Sequence, residues 1–187
     1  MKEPLLEPLL RRARMTKVLP LIMKYNKCEL LDIGCGFNYS LLRMLEPYLL
    51  KGYGIDFKVP EIHTEKICTC PATIDETLPF ASSQFDVVSM LAVLEHLDKP
   101  LHIIREIERV LKPGGRLVLT VPSKLAKPIL EFLSHRINIV NKEEVMDHKT
   151  YYNHGDLATL FGQTGLIVEK HKYFQFGMNN MLCAKKE

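Results

Sequence analysis

No apolar run approaches the ~20 residues that a membrane-spanning helix needs, because Lys, Glu or Asp breaks every candidate. A bilayer span is therefore not expected. Strong charge of either sign is missing too: Lys plus Arg total 25 against Asp plus Glu 22, a net +3 over 187 residues. Nucleic-acid binding usually draws a strongly basic patch, so no nucleic-acid partner is expected. The five cysteines are Cys28, Cys35, Cys68, Cys70 and Cys183, and only Cys68 and Cys70 stand close together. Neither a disulfide framework nor a zinc site made of two spaced pairs fits that pattern, so free thiols and no metal are expected. The opening stretch MKEPLLEPLLRRARMTKVLPLI breaks its leucines with prolines, glutamates and arginines, where a secretory signal would stay apolar. A cytoplasmic protein is expected. Repeats and low-complexity tracts are also lacking, and 47% hydrophobic with 25% charged residues is ordinary for a globular chain. Disorder, collagen and coiled coil are excluded, and the length fits a single domain.

What is present is a regular alternation of short apolar runs with helical periodicities. Leu5, Leu6, Leu9, Leu10, Val18, Leu19 and Ile22 recur at helical spacing over 4–25, with a kink or break predicted at Pro20. Residues 1–28 are read as an N-terminal helical cap on one domain spanning 29–187. Strands are predicted at Glu29–Ile33, Gly52–Asp56, Lys66–Cys70, Phe85–Leu91 and Arg116–Val121, with helices after the first and from Asp98. Lys112-Pro113-Gly114-Gly115 is read as a helix stop. Asn153 is a helix cap with Asp156 in the favourable first turn, and Leu166–Phe176 and Asn179–Lys185 form two strands joined at Gly177. Strands alternating with helices imply an α/β fold, a mostly parallel sheet with helices on both faces. A short turn can only reverse the chain, so the terminal strand is antiparallel to its predecessor. Ligands of such sheets lie beyond the carboxyl ends of the strands.

The first strand runs into Asp32-Ile33-Gly34-Cys35-Gly36-Phe37-Asn38. Glycines there let a ligand approach the backbone, and the following helix offers unpaired N–H groups. Asp32 precedes them, and a carboxylate at the crevice mouth opposes a pyrophosphate but suits a ligand bearing an ammonium and a sulfonium. Asp56 ends the second strand, where an acid accepts hydrogen bonds from ribose hydroxyls. Phe57 is placed to lie on a purine face or to pack at the rim.

LLDIGCGFN, GYGIDF and TLPFASSQFDVVSMLAVLEHLDKPLHIIREIERVLKPGGRLVLTVPS resemble the successive motifs of class I S-adenosylmethionine-dependent methyltransferases, notably the small-molecule branch with LPF, FD and LEHL signatures. The resemblance covers about Leu30 to Ser123 and continues more weakly to the C-terminus. It implies a Rossmann-like fold and S-adenosyl-L-methionine as cofactor, with Asp32, Gly34, Cys35 and Gly36 along its methionine part and Asp56 on its ribose. Thr73, Ile74 and Asp75 fall where the family contacts adenine, and Leu91 and Ala92 would flank the methionine part. Asn38 stands where the family usually has a third glycine, and asparagine tolerates the left-handed conformation that such a turn needs.

A sulfonium already activates its methyl group, so the protein's task is to hold an acceptor atom in line with it. A hydroxyl acceptor would also need a base. His148, in a polar segment beyond a strand end, is the preferred candidate and His96 the second, with Glu95, Tyr151, Tyr152 and His154 in range. The apolar stretch Leu125, Ile129, Leu130, Phe132, Leu133 and Ile137 is read as part of an inserted lid at about 124–150, or as a helix buried on the N-terminal helices or a second subunit. Arg11, Arg12, Arg14 and Lys17 form either a phosphate-binding cluster or a solvated helix face. The expected acceptor is a small molecule, sugar or lipid-linked intermediate, methylated at O, N or C by a monomer or homodimer. Competing readings are a non-catalytic S-adenosylmethionine-binding subunit and an NAD-dependent oxidoreductase. Tyr39, three positions after Gly36, speaks against the latter.

Overall fold

Adjacent positions of the central strands are both apolar, as in Leu30-Leu31 and Val87-Val88, which suits a sheet buried on its two faces. In the computed structural model, which describes residues 7–74, 77–132 and 146–187, eight strands form that sheet. They are β1 (Cys28–Ile33), β2 (Leu49–Asp56), β3 (Ile62–His63), β4 (Ile67–Pro71), β5 (Phe85–Leu91), β6 (Leu111–Pro122), β7 (Leu166–Phe174) and β8 (Asn179–Lys186). The described helices are α1 (Glu7–Ile22), α2 (Ser40–Leu45), α3 (Pro100–Val110), α4 (Ala126–Phe132) and α5 (His154–Phe161). None of them is long and apolar enough to cross a membrane.

The strand order is β3-β4-β2-β1-β5-β6-β8-β7. From β4 to β6 neighbouring strands are parallel. β8 then enters antiparallel between β6 and β7, so the last strand of the chain is internal and β7 takes the edge. This is the expected mostly parallel α/β sheet with a reversed terminal strand. Strand alternation sorts the core into two layers. Leu31, Ile33, Val88, Met90, Leu117 and Leu119 pack with Ile103, Ile104 and Ile107 of α3 and Leu157 and Phe161 of α5. Leu30, Val87 and Val118 face the other way, against Leu41, Leu42 and Leu45 of α2 and Val18 and Ile22 of α1.

Three local expectations change. α1 runs through Pro20 without a break to Ile22. Proline in a last turn removes one backbone donor, and burial of Val18 and Ile22 outweighs that loss. α3 stops at Val110, before the Pro-Gly-Gly sequence, because Leu111 already pairs with Phe85 at the start of β6. The irregularity that follows in the β5–β6 register is where Gly114 takes its positive φ of 81°. In the turn after β1, Tyr39 rather than Asn38 adopts the left-handed conformation, at φ 36°. The Asn153 cap forms as read: its side chain accepts from the Asp156 N–H at 2.9 Å, and Asp156 Oδ2 accepts from the Asn153 N–H at 2.8 Å.

Candidate active site

Parallel strands ending side by side leave a crevice beyond their carboxyl ends. A cavity of about 910 Å³ lies there, lined by residues that follow β1, β2, β4, β5 and β6 and by parts of α1, α4 and the 146–150 segment. Its size is near the upper end of the ~300–1,000 Å³ typical of ligand sites, enough for a nucleoside-sized ligand with space beside it.

The glycine turn forms one wall. The N–H groups of Gly34 and Cys35 both donate to the Ile55 carbonyl, at 2.8 and 3.2 Å, which pins the turn to the end of β2. Gly34 has φ +73°, and a Cβ there would stand 2.2 Å from a methyl of Val93. Gly36 has φ +68°, and a Cβ there would meet nothing within 4 Å, so its backbone is open to the cavity. Asp56 closes the arrangement: its Oδ2 accepts from the Gly36 N–H at 3.0 Å and its Oδ1 from the Lys58 N–H at 2.8 Å. A carboxylate has about four lone-pair sites, so two backbone bonds leave acceptor capacity for ligand hydroxyls. An open glycine backbone, an acceptor carboxylate and an exposed Phe57 suit the ribose and base of an adenosyl group.

Gly34, Gly36, Asp56, Phe57, Thr73, Ile74, Leu91, Ala92, His96 and His148 all line the cavity. Asp32, Cys35 and Asn38 are not among its lining residues, and Asp75 lies outside the described residues. Asp32 sits within the sheet, 3% exposed, opposite Ser89, whose hydroxyl donates to it at 2.7 Å. Burial pushes its carboxyl up to about 7, and the nearby Asp56 charge adds to the rise. The charge argument drawn from Asp32 therefore passes to Asp56, since the sequence order of a strand end does not tell which side chain turns into the sheet. Burial likewise pushes the Cys35 thiol up, disfavouring a thiolate there.

The opposite wall is built from distant segments. Leu94–His96 form a 310 turn after β5, and the Glu95 carbonyl accepts from the N–H groups of Lys149 and Thr150 at 2.8 and 3.2 Å. Lys149 also pairs with Asp98 at 2.6 Å, and His96 Nδ1 meets Asp147 Oδ2 at 2.9 Å. These bonds bring His148 beside His96, their ring centroids 4.8 Å apart. Burial and the His96 charge pull His148 down to about 4, so its ring is neutral near pH 7. Glu95 is 1% exposed, its Oε2 has no hydrogen-bond partner among the described residues, and burial pushes its carboxyl up to about 7. Leu10 and Arg14 of α1 and Leu130 of α4 complete this wall. Of the basic residues in that helix Arg14 lines the cavity, while Arg12 and Lys17 are exposed. His154 is exposed, and Tyr151 and Tyr152 are buried; none of the three lines the cavity. Leu10 and Asn179, read in the sequence only as helix and strand residues, also line the cavity. Their contribution depends on where α1 and β8 dock, which no local motif encodes.

Residues 31–119 match the family described as methyltransferase domain. A 27-O-demethylrifamycin SV methyltransferase of Amycolatopsis mediterranei is 33% identical over 128 residues, 61% of this chain and 46% of that protein. A tRNA U34 carboxymethyltransferase of Saccharophagus degradans is 31% identical over 113 residues, 55% of this chain and 35% of that protein. The chain thus spans half or less of these two relatives. Among solved structures, the complex of the Haloferax volcanii Trm112 methyltransferase activator with a methyltransferase matches with TM-score 0.71 at 18% identity, covering 92% of this chain and 90% of that one. These findings correct the expectation of no nucleic acid and no partner beyond a second copy, and widen the range of acceptors beyond small molecules. Net charge averages over the whole surface, so it does not exclude an RNA or protein partner at one face. By its motifs, its matched domain and its strand order, the chain is similar to the class I S-adenosylmethionine-dependent methyltransferases and shares their fold.

Proposed function

We propose that this chain transfers the methyl group of S-adenosylmethionine to a hydroxyl oxygen of an acceptor that enters the cavity against Glu95, His96 and His148. The observation that carries the reading is the placement of Asp56 and the open Gly36 backbone on one wall of the cavity whose other wall holds those three residues. When bound, the cofactor supplies a methyl group already activated by its sulfonium. The chain's own work is to bind and align. Asp56 would accept hydrogen bonds from the ribose hydroxyls while its bonds to Gly36 and Lys58 keep the carboxylate fixed. Phe57, Thr73 and Ile74 would border the base, and Gly34, Leu91 and Ala92 the methionine part. Ala92 is held at the end of β5 by its N–H donating to the Thr120 carbonyl at 2.9 Å.

On the acceptor side, neutral imidazole nitrogen and a buried carboxylate draw away the proton that a hydroxyl must lose as its oxygen attacks. Nitrogen or carbon acceptors would make less use of such a cluster, which is why oxygen is preferred. Leu130 and the α4 segment act as the lid side of the pocket. The rifamycin enzyme named above is an O-methyltransferase by its description, which supports the choice of atom.

The test begins with calorimetry of S-adenosylmethionine, S-adenosylhomocysteine and NAD. The two S-adenosyl ligands are expected to bind and NAD is not. Labelled methyl transfer is then followed to hydroxylated small molecules and, separately, to total tRNA. Labelled ether product from either class supports the reading, and label only on nitrogen or carbon overturns the choice of atom. Binding without transfer to any acceptor, or no binding, overturns the activity itself.

A further inference from the structure

The Glu95, His96 and His148 cluster has an arrangement that proton transfer alone does not require. One ligand-type atom from each residue lies within 4.8 Å of the others. Each imidazole spends Nδ1 on a partner behind it: His96 on the Asp147 carboxylate at 2.9 Å, His148 on the Tyr151 hydroxyl at 2.9 Å. Nε2 of both rings has no hydrogen-bond partner among the described residues. Histidines that bind metals are commonly oriented in this way, with the second ring nitrogen held by a carboxylate or other polar group. The third residue supplies an independent observation. Glu95 is 1% exposed and lines the cavity, yet its Oε2 accepts no hydrogen bond from the described residues. A buried carboxylate oxygen with no donor is costly unless a cation or a proton takes the place of the donor.

From this geometry we propose that Glu95, His96 and His148 bind one divalent transition-metal ion of the zinc type at the acceptor end of the cavity. Two imidazoles and one carboxylate form a mixed nitrogen and oxygen set that suits Zn²⁺, and three protein ligands leave a position open to substrate. Closing on an ion with ligand distances of about 2.0–2.2 Å requires the three atoms to draw together to roughly 3–3.5 Å. The Glu95 side chain and the two rings can supply that approach by small rotations, while the bonds from Lys149 and Thr150 hold the two segments together.

The site deepens the proposed function and rests on it for its role. An acceptor hydroxyl placed in the open position would lose its proton more readily, because a bound cation stabilises the oxyanion. Its oxygen then forms the new bond to the methyl carbon, the carbon–sulfur bond breaks, and that electron pair stays on sulfur. The released proton passes to solvent. With the ion in place the imidazoles are its ligands, and its charge takes over the proton-withdrawing role that the metal-free cluster has in the proposed function. Catechol-like or vicinal diol acceptors, which can offer two oxygens to one ion, are the chemical class favoured by such a site.

The test uses the full chain stripped with chelator and dialysed, then titrated with Zn²⁺ and with Co²⁺, whose visible spectrum reports its ligands. One equivalent of either ion is expected to bind, and affinity is expected to fall at least tenfold in both Glu95→Gln and His148→Gln. Asp147→Asn, which alters the support behind His96, should weaken the ion less. S-adenosylmethionine affinity, measured on the same samples, should stay unchanged and shows that each variant is folded. Cys68→Ser with Cys70→Ser should leave the ion in place. Equal affinity in the wild type and both ligand variants, loss of the ion in the cysteine variant, or no binding at all overturns the site. Metal binding without S-adenosylmethionine binding would instead overturn the proposed function and leave the metal site standing.

Discussion

The two walls of the cavity are made in different ways. The cofactor wall comes from strand ends that are neighbours in the sheet, and its fixing bonds are mostly backbone: Gly34 and Cys35 to Ile55, and Gly36 to Asp56. The acceptor wall is assembled from α1, the turn after β5, α4 and the 146–150 segment, and its fixing bonds include side chains such as Asp147 to His96 and Asp98 to Lys149. The frame of the first wall is set by the sheet, so apart from Asp56 it tolerates changes in its side chains as long as the turn survives. The second depends on particular side chains from distant segments, so it can diverge while the first is retained.

The sharpest way to break this comparison is to remove a group from one wall and read both. His148→Gln is expected to lower methyl transfer by roughly 10²–10⁴-fold while leaving S-adenosylmethionine affinity unchanged. Single-turnover rates and calorimetry on the same preparation check this. A parallel loss of cofactor affinity would mean that the walls are coupled.

A stability effect of a few kcal/mol is expected from Asp32, beneath the cofactor wall. Its folded pKa, pushed up to about 7, lies above the ordinary 3.8, so between those values the folded state holds the proton more tightly than the unfolded one. Its contribution is thus full below the unfolded value and is lost as pH rises through the folded one. Urea melts of the wild type from about pH 4 to pH 8 should show this decline, and Asp32→Asn should flatten it. Identical slopes would mean that Asp32 ionises freely in its buried setting.

On the cofactor wall itself, Asp56→Ala should weaken S-adenosylmethionine binding by roughly 1.5–3 kcal/mol, or about ten- to a hundredfold, through lost charge-assisted hydrogen bonds. Transfer at saturating cofactor should fall far less, the reverse of the His148 result. The smallest effect concerns the cap of α5, away from both walls. Asn153→Ala should cost about 1 kcal/mol in thermal or chemical unfolding and leave both ligand affinity and transfer unchanged.

These differences follow how the chain could be read. The motif residues Gly34, Gly36 and Asp56 were legible because strand end, glycine turn and strand-end acid are encoded within short segments. Asp32 belonged to the same motif, yet its side chain faces Ser89 inside the sheet. Orientation at a strand end depends on neighbouring strands, which the local pattern does not contain. His96 and His148 were both singled out, but their pairing across more than fifty residues rests on the Glu95 carbonyl meeting Lys149 and Thr150. Glu95 was named only as a residue in range, and that its Oε2 has no partner among the described residues emerged from burial.

By itself the sequence determined the alternation of strands and helices, the reversed terminal strand, the glycine turn and the acid of the second strand. Each of these is a local consequence of apolar periodicity, turn chemistry or motif spacing. Only the tertiary structure decided that β8 enters between β6 and β7, that α1 stays helical through Pro20, and that Glu95, His96 and His148 share one wall. Those outcomes depend on which distant surfaces bury one another, and burial between distant segments leaves no trace in the spacing of neighbouring residues.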